Sequence, residues 1–155
     1  VDTLSLRGNL GLIYLVLGDF ERAHSELLPC WPAARAMAHI ELEALNGTLL
    51  SVVQAKLDDA SAARATLRRS LRASYRCGRQ RCLEALGWTV DVLLRWDHPN
   101  LPAIAGGWVR LCLQIDQKIP PIHRERWEFA QEFPRPTEAD LLDVTRQAIE
   151  ALREP

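Results

Sequence analysis

The chain has 155 residues, 48% hydrophobic and 25% charged, with a formal net charge of −1, enough for one domain with a real core. Its longest apolar run, residues 10–17, is far shorter than the roughly 18 residues of a membrane-spanning helix, and no signal-peptide pattern is present. Near-neutral charge argues on global grounds against nucleic acid as a partner.

Leu, Ala, Arg and Glu dominate while Ile, Thr and Tyr are sparse, which favours helix over strand. Four cysteines, Cys30, Cys77, Cys82 and Cys112, lack regular spacing, so reduced and mostly buried thiols in a cytoplasmic protein are expected. The pattern opens at Val1 already in helical register without an initiator Met, and the chain is expected to be a fragment of a longer protein.

A first unit covers about residues 3–28. Leu6, Leu10, Ile13, Tyr14 and Leu17 recur at three- and four-residue steps and make an apolar helical stripe. Gly18-Asp19 ends that helix and caps the next, which turns Phe20, Ala23, Leu27 and Leu28 inward. Pro29 and Pro32 are expected to interrupt it, because proline lacks an amide proton and disfavours helix before it.

The second unit, about 36–76, has a helix carrying Met37, Ile40, Leu42, Leu45, Leu49, Leu50 and Val53, a turn at Asp58-Asp59, and a helix with Ala60, Ala63, Leu67, Ser70 and Leu71. The third, about 79–115, places Leu83, Leu86, Gly87, Val90 and Leu94 on one helix and residues 103–115 on another. Gly106-Gly107 inside the latter costs about 1 kcal/mol per glycine and predicts close backbone packing. Gly11, Ser51 and Gly87 align at steps of 40 and 36 residues. Two closing helices follow, at about 121–131 and 137–153; the second opens on Thr137-Glu138-Ala139-Asp140, read as a capping box, and aligns Leu141, Val144, Ala148, Ile149 and Leu152.

In the first unit Leu10, Gly11, Tyr14, Gly18, Asp19, Phe20 and Ala23 stand in the order of a tetratricopeptide repeat, whose period is about 34 residues. The chain resembles that family in lengthened, degenerate copies. The resemblance implies an all-α fold: a TPR-like right-handed α-solenoid of about three helix pairs with a C-terminal capping helix. Arg81-Cys82-Leu83-Glu84-Ala85-Leu86-Gly87 and residues 114–128, with their Pro120-Pro121-Ile122-His123-Arg124-Glu125-Arg126-Trp127 core, resemble the C-terminal repeat region of bacterial regulators. Those regulators join a STAND-type ATPase module to helical repeats and, in some, to a LuxR-type DNA-binding domain. The function so implied is protein–protein interaction or effector sensing without catalysis or cofactor.

In such an array the first helices of successive pairs line a concave groove. Mapping the repeat positions puts Leu12, Leu15 and Val16 there, then Thr48, Leu49, Val52 and Lys56, then Glu84, Trp88 and Asp91. The expected partner is a protein or peptide, or other domains of a parent chain, with a homodimer or freestanding adaptor as the alternative. A second candidate is the basic face of Arg64, Arg68, Arg72 and Arg76, four residues apart on one helix within an acid-free run from Arg64 to Arg81. It would suit phosphate or an acidic surface, against the plainer reading of a solvated helix face; without a helix-turn-helix pattern, nucleic acid is the weaker option.

Cys77 and Cys82, flanked by arginines, carry a minority reading as redox-sensing thiols of lowered pKa, and zinc binding is a minority reading as well, since only two thiols and no clustered His stand where four ligands are wanted. His24, His39, His98 and His123 are scattered. No nucleophile elbow or phosphate loop is present. Trp96, Trp108 and Trp127 are expected to fill the core of the third unit and its closure.

Overall fold

The repeated Gly-Asp and Asp-Asp turns explain the architecture. In a computed structural model, which describes residues 2–115 and 121–153, the described residues form eight α-helices and no strand. They are α1 (Asp2–Leu17), α2 (Phe20–Ala36), α3 (Ile40–Lys56), α4 (Ala60–Cys77), α5 (Arg79–Arg95), α6 (Leu101–Gln114), α7 (Arg124–Ala130) and α8 (Leu141–Ala151), with a 3-10 turn at Pro121–His123 before α7. Residues 116–120 of the closing motif lie outside the described residues.

Four of the helix ends share one device. Gly18, Ala38, Asp58 and Asp97 take positive φ of 78°, 52°, 62° and 49°. The amide of the next residue then bonds back to a carbonyl of the last helical turn: Asp19 to Tyr14, His39 to Ala34, Asp59 to Gln54 and His98 to Leu93, at 2.9–3.1 Å. This left-handed close satisfies carbonyls that the helix cannot. Asp19, His39 and Asp59 immediately cap the following helix, accepting from Arg22, Leu42 and Ala62 amides. One short sequence thus stops one helix and starts the next, folding the chain into antiparallel pairs.

Within pairs, α1 packs on α2, α3 on α4 and α5 on α6; across pairs, α3 rests on α1 and α2, and α5 on α3 and α4. Small residues set the approach: the groups nearest Gly11 belong to Leu27, those nearest Gly87 to Trp108. The core runs continuously from Leu15 and Leu27 through Leu50, Leu67 and Leu86 to Ile104 and Leu111. Past the third pair, α7 lies against α5 and α6, and α8 against α4, α5 and α6. Gly106 and Gly107 are where that tail docks, since a Cβ on Gly106 would meet the Pro134 carbonyl and one on Gly107 would sit 2.8 Å from Val144. The close packing expected of the glycine pair is present.

Three local expectations fail. Helix α2 does not stop at Pro29 or Pro32 but runs through both to Ala36. Proline at 29 frees the Ser25 carbonyl, and the Arg7 guanidinium of α1 supplies a donor at 3.4 Å, so one lost bond is partly replaced. The cap of α8 is Asp140, accepting from Leu142 and Asp143 amides at 2.8 and 3.2 Å, and not Thr137, because residues 137–140 are still irregular. Finally, Leu28 of α2 does not turn inward but is 49% exposed. The apolar stripe of Leu6, Leu10, Ile13 and Leu17 faces outward, while α1 turns Gly8, Gly11 and Leu15 to the core.

Candidate functional site

A cleft of about 630 Å³ opens between the first helices of the pairs and the 3-10 turn with α7. Leu15 and Val16 contribute from α1, Val52 and Lys56 from α3, and Trp88 and Asp91 from α5. Six of the ten groove positions inferred from the repeat register therefore meet around one concavity. The repeat offset accounts for this: residues at equivalent positions of α1, α3 and α5 fall on one side when those helices pack in succession.

The other four sit elsewhere. Leu49 is in the core, and Thr48 is buried with its hydroxyl donating to the Ala44 carbonyl at 2.8 Å. Leu12 is half-buried against the core. Glu84 pairs with Arg81 at 2.6 Å, near the start of α5 and away from the cleft.

Sequence register missed the wall opposite. Ile122, Arg124, Glu125 and Arg126 line the cleft from the 3-10 turn and α7, and Gly18 and Phe20 line it from the first turn. Arg126 organises that wall. Its guanidinium carbon lies 4.0 Å from the centroid of the Trp88 ring, a stacking contact strengthened by partial desolvation. Its Nη2 is 3.5 Å from the Asp91 carboxylate, which Lys56 also approaches at 3.7 Å. Its Nη1 donates to the Ile122 carbonyl and lies 3.3 Å from His123 Nδ1. Behind it, His123 is sealed edge-on between Trp88 and Trp108, with ring centroids at 5.1 and 6.2 Å. Burial, and then the Arg126 charge, push the His123 pKa down to about 4, against the opposing pull of Asp91.

The groove is thus unequal along its length. Trp88 is buried beneath α7, while Val16 is exposed and Lys56 half-buried. The protein's own tail covers the α5 portion and leaves the α1–α3 portion open. Replacing Asp91 by Asn should loosen that cover, because Arg126 would keep its partly buried position and lose the one carboxylate it pairs with among the described residues. The expected result is a loss of about 2 kcal/mol and faster amide exchange confined to α7 and α5. Unchanged exchange in α7 would count against Asp91 as its tether.

The basic face is divided. Arg64 stacks on Trp96 at 4.8 Å, and Arg69, with Arg35, flanks Trp31 at 5.9 and 5.4 Å. These two arginines of α4 hold half-buried aromatic rings in place. Arg68 is half-buried, whereas Arg72 and Arg76 are exposed and make no ion pair among the described residues.

The cysteines run against the redox reading. Burial and the Glu41 charge raise the Cys77 pKa more than Arg81 and Arg76 lower it. Cys82 is in the core with its sulfur 3.2 Å from the Thr145 hydroxyl, and burial raises its pKa as well. A raised pKa keeps a thiol protonated and unreactive.

No helix among the described residues is long and apolar enough to cross a membrane. No family model matches this chain, and no curated protein or solved structure matches it either.

Proposed function

We propose that this chain is a TPR-like right-handed α-solenoid of three helix pairs whose concave face recognises a protein segment, as a non-catalytic interaction or effector-sensing arm of a bacterial transcriptional or signalling regulator in the cytoplasm. The observation that carries the reading is the cleft itself. Residues of the first helices of all three pairs, α1, α3 and α5, converge on it, and it combines apolar wall residues (Leu15, Val16, Phe20, Val52) with Lys56, Asp91 and Arg126. Apolar walls with few fixed charges suit a peptide or helix that buries side chains and is oriented by ion pairs. The resemblance of the Cys82 and Pro121–Trp127 segments to regulator C-terminal arms supplies the setting. In that setting, a partner that binds one state of the parent better than another shifts its output.

A peptide library selected against the full chain tests this. An enriched peptide should lose at least tenfold in affinity, about 1.4 kcal/mol, on Val16→Asp and on Lys56→Glu, and keep it on Arg72→Glu. The reverse pattern would move recognition to the exposed arginines of α4 and overturn the groove.

A further inference from the structure

The outward stripe of α1 has counterparts in this same chain. By the register that aligns Gly11, Ser51 and Gly87, Leu10 corresponds to Leu50 and Leu86, Ile13 to Val53 and Thr89, and Leu17 to Leu57 and Leu93. Leu10, Ile13 and Leu17 are 43%, 52% and 73% exposed, whereas Leu50, Val53, Leu86, Thr89 and Leu93 are at most 1% exposed and Leu57 is half-buried. The later helices are covered because each lies on the pair before it: α3 on α1 and α2, α5 on α3 and α4. Among the described residues, helix α1 packs mainly on α2 and α3.

We infer that the Leu6, Leu10, Ile13 and Leu17 face of α1 is a docking surface for an amphipathic helix pair built like α1–α2, packed as α1–α2 packs on α3. The four residues fall at steps of four, three and four, so they form one narrow stripe along the helix. An exposed row of large aliphatic side chains of this kind marks an interaction surface. In both later pairs the helix that carries the corresponding stripe packs on the helix pair before it. Among the described residues, a second copy of this chain offers no free matching edge. Its α1–α2 pair is already packed on α3, and beyond its third pair α5 and α6 carry α7 and α8. The inference stands apart from what the groove binds, because the stripe lies on a different side of α1 from Leu15, which lines the cleft.

The test extends the full chain at its N-terminus with a duplicate of residues 1–40, which repeats the 40-residue step. The extended protein should unfold in one transition at a higher urea midpoint and with a larger m-value. Amides of the original α1 should exchange at least tenfold more slowly. Leu10→Asp with Ile13→Asp in the original copy should abolish both gains, while moving the midpoint of the unextended chain little. Two separate transitions with unchanged α1 exchange would overturn the inference. So would a discrete dimer of the unextended chain, seen by light scattering and lost in the double variant, since a second copy would then be the occupant.

Discussion

Trp108→Ala should cost about 4 kcal/mol, the upper range for truncating a buried aromatic residue and a large fraction of the roughly 5–15 kcal/mol that stabilises a domain. Trp108 is fully buried on α6 and its indole N–H donates to the Leu83 carbonyl of α5 at 3.0 Å. Its ring packs on Gly87, where a Cβ would sit 2.8 Å away, on the edge of His123 and on Trp127 at 5.8 Å. Removing it therefore opens a cavity at the point where the third pair, the 3-10 turn and α7 meet. Trp108→Phe should recover most of the loss, because the ring matters more than one N–H bond worth about 1 kcal/mol. Trp127→Ala, at a half-buried position, should cost clearly less than Trp108→Ala. Urea denaturation followed by circular dichroism checks all three. A loss under about 1 kcal/mol for Trp108→Ala would mean that this junction does not hold the tail.

What could be read from the sequence follows from how local each feature is. The helix pairs were legible because their turns are written in adjacent residues: Gly18-Asp19 and Asp58-Asp59 each combine a helix stop with the next cap. The α7 segment was legible because prolines bound it, and the glycine pair on α6 was a cost that only close packing would tolerate. Where the reading failed, a distant group decided the outcome. Pro29 lies inside α2 with the carbonyl it frees met by Arg7, which is 18 residues away from Ser25 in sequence. The outward turn of the stripe on α1 was not legible, because periodicity reports amphipathicity without saying which face is covered. The cleft was half legible: repeat register brings Val52, Lys56, Trp88 and Asp91 together, but nothing periodic says that Arg126 returns to close it. The one signal was compositional, a histidine, arginines and a tryptophan crowded between prolines. Thr48 and Leu49 were misplaced because α3, packed on α1, α2, α4 and α5, is buried around most of its circumference.

Acid should weaken the fold through His123. Its imidazole is 3% exposed, walled by Trp88 and Trp108, with Arg126 beside it and Asp91 as the nearby anion. The folded-state pKa is about 4, against about 6.5 for an unhindered histidine. Between those values the unfolded chain binds a proton that the folded chain refuses, so stability falls as pH falls. This contribution is complete above pH 6.5 and shrinks by about 1.4 kcal/mol per pH unit towards pH 4, for a total of about 3 kcal/mol. Carboxylates near their own titration range would confuse the lower end, so the comparison belongs between pH 7 and pH 5. There the wild type should lose about 2 kcal/mol more than His123→Gln, whose side chain does not titrate. The Gln variant will start less stable, which is why the slope and not the absolute value carries the result. An independent reading is the His123 ring proton shift by NMR, which should stay that of a neutral imidazole down to about pH 5. A midpoint near 6.5 would show that the ring is open to water, and with it that α7 does not seal the α5 end of the groove.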